Sequence, residues 1–172
     1  MVNSIKIGIA AVAFVTAALT VNDETVPQVE TTRKSITFSG KNPPCLEVYY
    51  RIKEYADSFD IPLRYAFGIA YAETRYEGPF QWKYNPAQTS CVGAVGPMQV
   101  MPSTARWINK DQVSSEYLRT NIRYNVYTSM KLLRKLYNLR GDWKLVFGEY
   151  NTGRPCVNGY ANRVYHHQIN WK

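Results

Sequence analysis

Histidine is nearly absent from this chain: His166 and His167 stand side by side, and there are no others in 172 residues. That excludes a histidine-rich metal cluster and leaves no separated Ser, His and Asp set for nucleophilic catalysis. Cysteine is almost as scarce, with Cys45, Cys91 and Cys156 far apart and lacking the CxxC spacing of zinc ribbons or thioredoxin-like redox sites. No metal site and no cofactor is therefore expected. Acidic residues are also short, 13 against 21 Lys plus Arg, for a net charge of +8. The imbalance favours anionic partners, whether nucleic acid, an acidic lipid surface or an anionic wall polymer. No apolar run reaches the ~20 residues of a full membrane span, and no repeated unit or low-complexity tract is present. Any chemistry must come from carboxylates, tyrosines and amides.

What the chain does have is enough apolar matter to fold, 45% hydrophobic and 14% aromatic residues. Its organisation reads in three parts. Residues 7–21 are fifteen apolar, small or Thr residues, preceded by Lys6 and followed by Asp23 and Glu24. This makes residues 1–21 a signal peptide or an uncleaved N-terminal membrane anchor. Residues 22–43 carry Pro27, Pro43, several Ser and Thr and no apolar period, as expected of a flexible linker. One folded domain is expected over 44–172. Export to an oxidising compartment would permit one disulfide among the three cysteines, in any of three pairings; the alternative is three small buried hydrophobes.

Periodicity predicts a mainly α-helical domain. Leu46, Tyr49, Tyr50, Ile52 and Ala56 mark a helix over 46–59 that ends at the Asp60-Ile61-Pro62 turn. With Asp60 as cap, a second helix is expected over 62–76, stopping at Gly78-Pro79. Ile122, Val126, Met130, Leu133 and Tyr137 mark a third, Trp143, Phe147 and Tyr150 a fourth, and Tyr160, Val164 and His167 a fifth. The turn formers between Gly78 and Gly96 predict a long irregular loop. In the second helix, Ala66, Ile69, Ala70 and Glu73 share one stripe, which places a carboxyl group on the face meant for the core. Burial raises a carboxyl pKa, and a Glu kept protonated near neutrality can serve as a general acid. Glu77, one turn further, is a possible second carboxylate, though its place beside Gly78-Pro79 suits a solvated helix end.

Taken in order, Glu73, then Gly93-Ala94-Val95-Gly96-Pro97-Met98-Gln99-Val100-Met101-Pro102-Ser103-Thr104-Ala105, Asn121, Tyr150-Asn151-Thr152-Gly153 and Tyr160-Ala161-Asn162-Arg163-Val164 resemble the soluble lytic transglycosylase (SLT) domain. The resemblance covers roughly 45–166. It implies the lysozyme-like helical fold shared with goose-type lysozymes, with a long irregular active-site loop. It also implies a peptidoglycan lytic transglycosylase that cleaves the β-1,4 bond between N-acetylmuramic acid and N-acetylglucosamine and forms a 1,6-anhydro product. Glu73 would be catalytic, Tyr150 would orient it, and Thr74, Gly96, Met98, Gln99, Tyr150 and Asn151 would bind substrate. Peptidoglycan glycan strands are then the expected partner and nucleic acid is not. The implied setting is the periplasm or cell envelope, anchored or virion-associated, beside a secretion, conjugation or phage-entry machine. The chain departs from the pattern at Thr74, where the family usually has Ser, at Pro97 for Leu, and at Glu149 for a small residue. A goose-type muramidase that hydrolyses the same bond, and a non-catalytic wall-binding or assembly module, are the alternatives.

Overall fold

Helix α1, Pro44–Ser58, starts at a proline, whose fixed φ and missing N–H suit a first helical turn. Its inward face is Cys45, Val48, Ile52, Tyr55 and Ala56. The helix closes as the Ile61 N–H reaches back to Ala56 O at 2.8 Å, with Asp60 in the left-handed region at φ 48°. Asp60 is thus part of the stop of α1 and not the cap of the next helix; its carboxylate takes the Arg134 guanidinium at 3.0 Å. Helix α2, Leu63–Thr74, follows Pro62 without a side-chain cap.

Helices α3, Pro102–Asn109, and α4, Ser115–Thr120, stand where no helix was expected. Helix α5, Ile122–Arg140, is the longest, followed by α6, Trp143–Thr152, and α7, Gly159–Tyr165. Asn121, Asp142 and Asn158 cap the last three, each accepting a backbone N–H two or three residues on. In this computed structural model residues 42–171 are described. Among them are seven helices and no strand, only isolated bridges at Thr89, Val95 and Val100. The expected signal or anchor over 1–21, and the linker over 22–43 apart from its last two residues, lie outside the described residues. No described helix is long and apolar enough to cross a membrane.

α5 is the spine. It packs on α1, α3, α4 and α6, while α2 lies against α1 and α7, and α7 closes on α6. Val126, Met130 and Leu133 of α5 are fully buried, with Phe67 and Ile69 of α2 and Phe147 of α6 in the same core. An aromatic cluster of Tyr65, Trp143, Phe147 and Tyr165 joins α2, α6 and α7, with ring centroids 5.0–5.7 Å apart. The irregular stretch between α2 and α3 is tied down by side chains and not by a sheet. No disulfide forms among Cys45, Cys91 and Cys156. Cys45 is in the core, Cys91 is on an exposed turn, and Cys156 is half-buried with Thr152 Oγ1 3.7 Å from its sulfur. These surroundings match neither the bridged pair nor three buried hydrophobes.

Candidate active site

The site begins with the way α2 ends. Arg75 turns left-handed at φ 57°, and the Tyr76 N–H points back to Ala70 O at 3.4 Å, so the helix stops two residues earlier than Gly78-Pro79 suggests. The driving force is Tyr76: its ring is fully buried and its hydroxyl donates to Cys45 O at 2.7 Å. Reversing the chain to bury this ring leaves Glu73 in the last turn of α2, half-buried, on the stripe with Ala66, Ile69 and Ala70.

One hydrogen bond reaches the Glu73 carboxyl: Tyr160 Oη donates to Oε1 at 2.5 Å. Loss of water raises its pKa to about 6, the Tyr160 bond pulling weakly the other way. Tyr160 is itself held far above the ordinary tyrosine range by burial and by the Glu73 charge, so it remains a neutral donor. The expected orienting role of Tyr150 falls instead to Tyr160. The Tyr150 hydroxyl donates to Met98 O at 2.7 Å and lies 2.9 Å from Ser129 Oγ, while burial and the nearby Glu73 charge raise its pKa. Tyr150 therefore sits beside the acid and holds the loop that faces it.

That loop, 96–99, is pinched shut by Val95 and Val100, which exchange N–H···O bonds of 3.1 and 3.0 Å. Asn125, fully buried on α5, satisfies the loop from beneath. Its Oδ1 accepts the Met98 N–H at 3.0 Å, and its Nδ2 donates to Val95 O at 2.8 Å and Leu118 O at 3.1 Å. Gly96, at φ 83°, packs so closely on the Asn125 amide that a Cβ there would overlap it. Thr74 ties the same loop to α2: its Oγ1 donates to Pro97 O at 2.9 Å and meets Tyr84 Oη at 2.6 Å.

Several expected substrate contacts are thereby relocated. Thr74 and Met98 are buried, 4% and 0% exposed, and Gly96 is buried against Asn125. All three shape the loop from within, because their polar groups are spent on holding it and the Met98 side chain fills the core. Gln99 remains at the surface, half-buried, its Nε2 donating to Gly96 O at 2.9 Å and Gln88 O at 3.3 Å. Asn151 is exposed at the end of α6, with Asn158 Nδ2 at 3.5 Å from its Oδ1. Among the described residues, no other carboxylate contributes to the Glu73 pKa shift. Glu149 is engaged by Arg140 through bonds of 2.7 and 2.9 Å that lower its pKa, and Glu77 is exposed.

Sequence reasoning missed Tyr160 as the partner of the acid, and Asn125 and Ser129 as supports. Tyr160 and Val164 form a four-residue step that reads as core. Asn125 carried a signal, an amide three residues beyond Ile122, with Ser129 one turn on, beside the apolar stripe of the helix. The assembled arrangement is one shielded carboxylic acid with its pKa raised toward neutrality, flanked by the buried phenols of Tyr150 and Tyr160.

Fold and site together define a lysozyme-like helical domain. Residues 51–171 match the Transglycosylase SLT domain model, and the chain belongs to that family. Among solved structures, it is similar to the 70-kDa soluble lytic transglycosylase SLT70 of Escherichia coli, at 27% identity with a TM-score of 0.52. A complex of the 70-kDa soluble lytic transglycosylase with bulgecin A matches at 27% and 0.53. In both cases the match covers 67% of this chain and 18% of the other. No curated protein matches.

Proposed function

We propose that this chain is a peptidoglycan lytic transglycosylase in which Glu73 is both acid and base. Protonated Glu73 gives its proton to the glycosidic oxygen between N-acetylmuramic acid and N-acetylglucosamine as the C1–O bond breaks and positive charge grows at C1. The resulting carboxylate then removes the proton from the muramic C6 hydroxyl, whose oxygen closes on C1. The products are a 1,6-anhydro sugar and a free N-acetylglucosamine hydroxyl, with no water consumed and Glu73 returned protonated. The N-acetyl group of the substrate can stabilise C1 in between.

The observation that carries this reading is that, among the described residues, no second carboxylate acts on Glu73. Ordinary glycoside hydrolysis uses paired carboxyl groups, about 5–5.5 Å apart for retention or 6.5–9.5 Å for inversion. Here the influences on the acid are its burial and one phenol, while Glu149 is taken by Arg140. Gln99, Tyr150 and Asn151 are the proposed sugar contacts, with Thr74, Gly96 and Met98 shaping the wall behind them. Residues 1–21 would export or anchor the domain at the envelope, where local wall opening would serve a secretion, conjugation or phage-entry machine. The test is digestion of purified sacculi by the wild type and Glu73→Gln. Release of soluble fragments by the first alone supports the reading. Equal release by both removes the proposed acid, and no release by either favours a wall-binding module.

A further inference from the structure

A second cleft, of about 550 Å³, opens between the end of α2 and the C-terminal segment that follows α7. Its lining includes none of Glu73, Gln99, Tyr150 and Asn151. Tyr71, one of its walls, lies two residues before Glu73 and so projects about 200° around the helix from it. The opposite wall is Trp171, set in place by edge contacts with Phe67 at 4.8 Å and Tyr76 at 6.2 Å and seated on Gly78, where a Cβ would come within 2.7 Å of its ring. Tyr71 is fixed in turn by His167, 5.2 Å between ring centroids, and by the Arg75 guanidinium 5.4 Å from its centroid. Gln168, Asn170 and Glu77 are exposed around the rim. The His167 Nε2 is shut off from water with no hydrogen-bond partner among the described residues, so it lies behind the cleft surface and only the ring's packing supports the wall. Burial keeps that imidazole uncharged by lowering its pKa.

Rigid aromatic faces, two carboxamides and a carboxylate acceptor suit a ligand that is itself neutral, flat and apolar on one side, and ringed with hydroxyl and amide groups. We propose that this cleft binds an N-acetylated sugar ring of a glycan strand, away from the bond being cut. The assignment rests on the peptidoglycan reading for its choice of polymer. It gives the domain a second hold on the wall, so that the enzyme stays attached while the catalytic groove empties.

The test uses full-length Glu73→Gln, which binds without turnover, and glycan strands stripped of their stem peptides as the probe. Gln168→Ala/Asn170→Ala changes only exposed side chains; Tyr71→Ala is the second variant, with melting curves to verify that it folds. Each is expected to weaken strand binding about tenfold, the loss of one or two hydrogen bonds or of a ring contact. In the active background, Gln168→Ala/Asn170→Ala is expected to leave kcat/KM on a short soluble tetrasaccharide unchanged. Strand binding unaltered in both variants overturns the proposal, as does a loss seen only with strands that carry stem peptides. Wild-type digestion of sacculi run in parallel separates the two ideas: intact turnover with unaltered binding sinks the cleft alone, and weakened binding without turnover sinks the enzyme reading alone.

Discussion

In the proposed mechanism Glu73 has to hold a proton and then lose it, and its surroundings bear on both halves of that task. Burial lifts its pKa from the ordinary 4.5 to about 6, so the acid form is the majority below that point. In an assay of kcat/KM against pH, activity should fall about tenfold per unit above pH 6 as the acid is lost. The same shift costs stability. Below pH 4.5 the group is neutral whether the chain is folded or not, and no penalty exists. Above pH 6 the folded protein must carry the charge in a poorly hydrated place, at a cost of about 2 kcal/mol. Glu73→Gln should therefore cut turnover by about 10²–10⁴-fold and yet melt higher than wild type at pH 8, with the advantage gone at pH 4. Tyr160→Phe removes the bond that favours the charged carboxylate. The alkaline limb of the pH profile should move upward in that variant; a limb that stays put or moves down would mean Tyr160 does not act on the acid.

Between α2 and α3 there is no extended ladder, so turns and isolated bridges are supplemented by side chains from neighbouring helices, and Asn125 supplies three bonds. Asn125→Ala leaves the Met98 N–H without its buried partner and the Val95 carbonyl with the Val100 N–H alone. We expect a loss of about 3 kcal/mol in denaturant unfolding. Gly96→Ala should also destabilise, through overlap with the Asn125 amide and through its positive φ. Combining the two should cost less than the sum, because removing the amide relieves the overlap. This coupling was hidden in the sequence, since Gly96 and Asn125 are 29 positions apart and each looks ordinary alone. Helices α1, α2, α5, α6 and α7 were legible from their period, even the seven-residue α7, which buries three positions. α3 and α4 were not, because two and one buried positions show no period. The early stop of α2 was also illegible, as it depends on where the Tyr76 ring is buried.

Across the whole molecule, the order of motifs from Glu73 to Val164 was enough to identify the family and the helical fold. It was not enough to say which motif residues face a ligand. Motif membership marked Thr74, Gly96 and Met98, but burial assigns them to the frame, and only packing distinguishes frame from surface. Charge acts at this scale too: a net +8 should draw the protein to the acidic groups of a wall. Retention on intact sacculi should weaken steadily as salt is raised, while cleavage of a short neutral fragment changes little. The central claim is that the sugar closes on itself without water. Digestion of peptidoglycan in heavy-oxygen water, followed by mass spectrometry of the released fragments, tests it most directly. The account predicts anhydro ends that carry no solvent oxygen; reducing ends that each carry one heavy oxygen would contradict it.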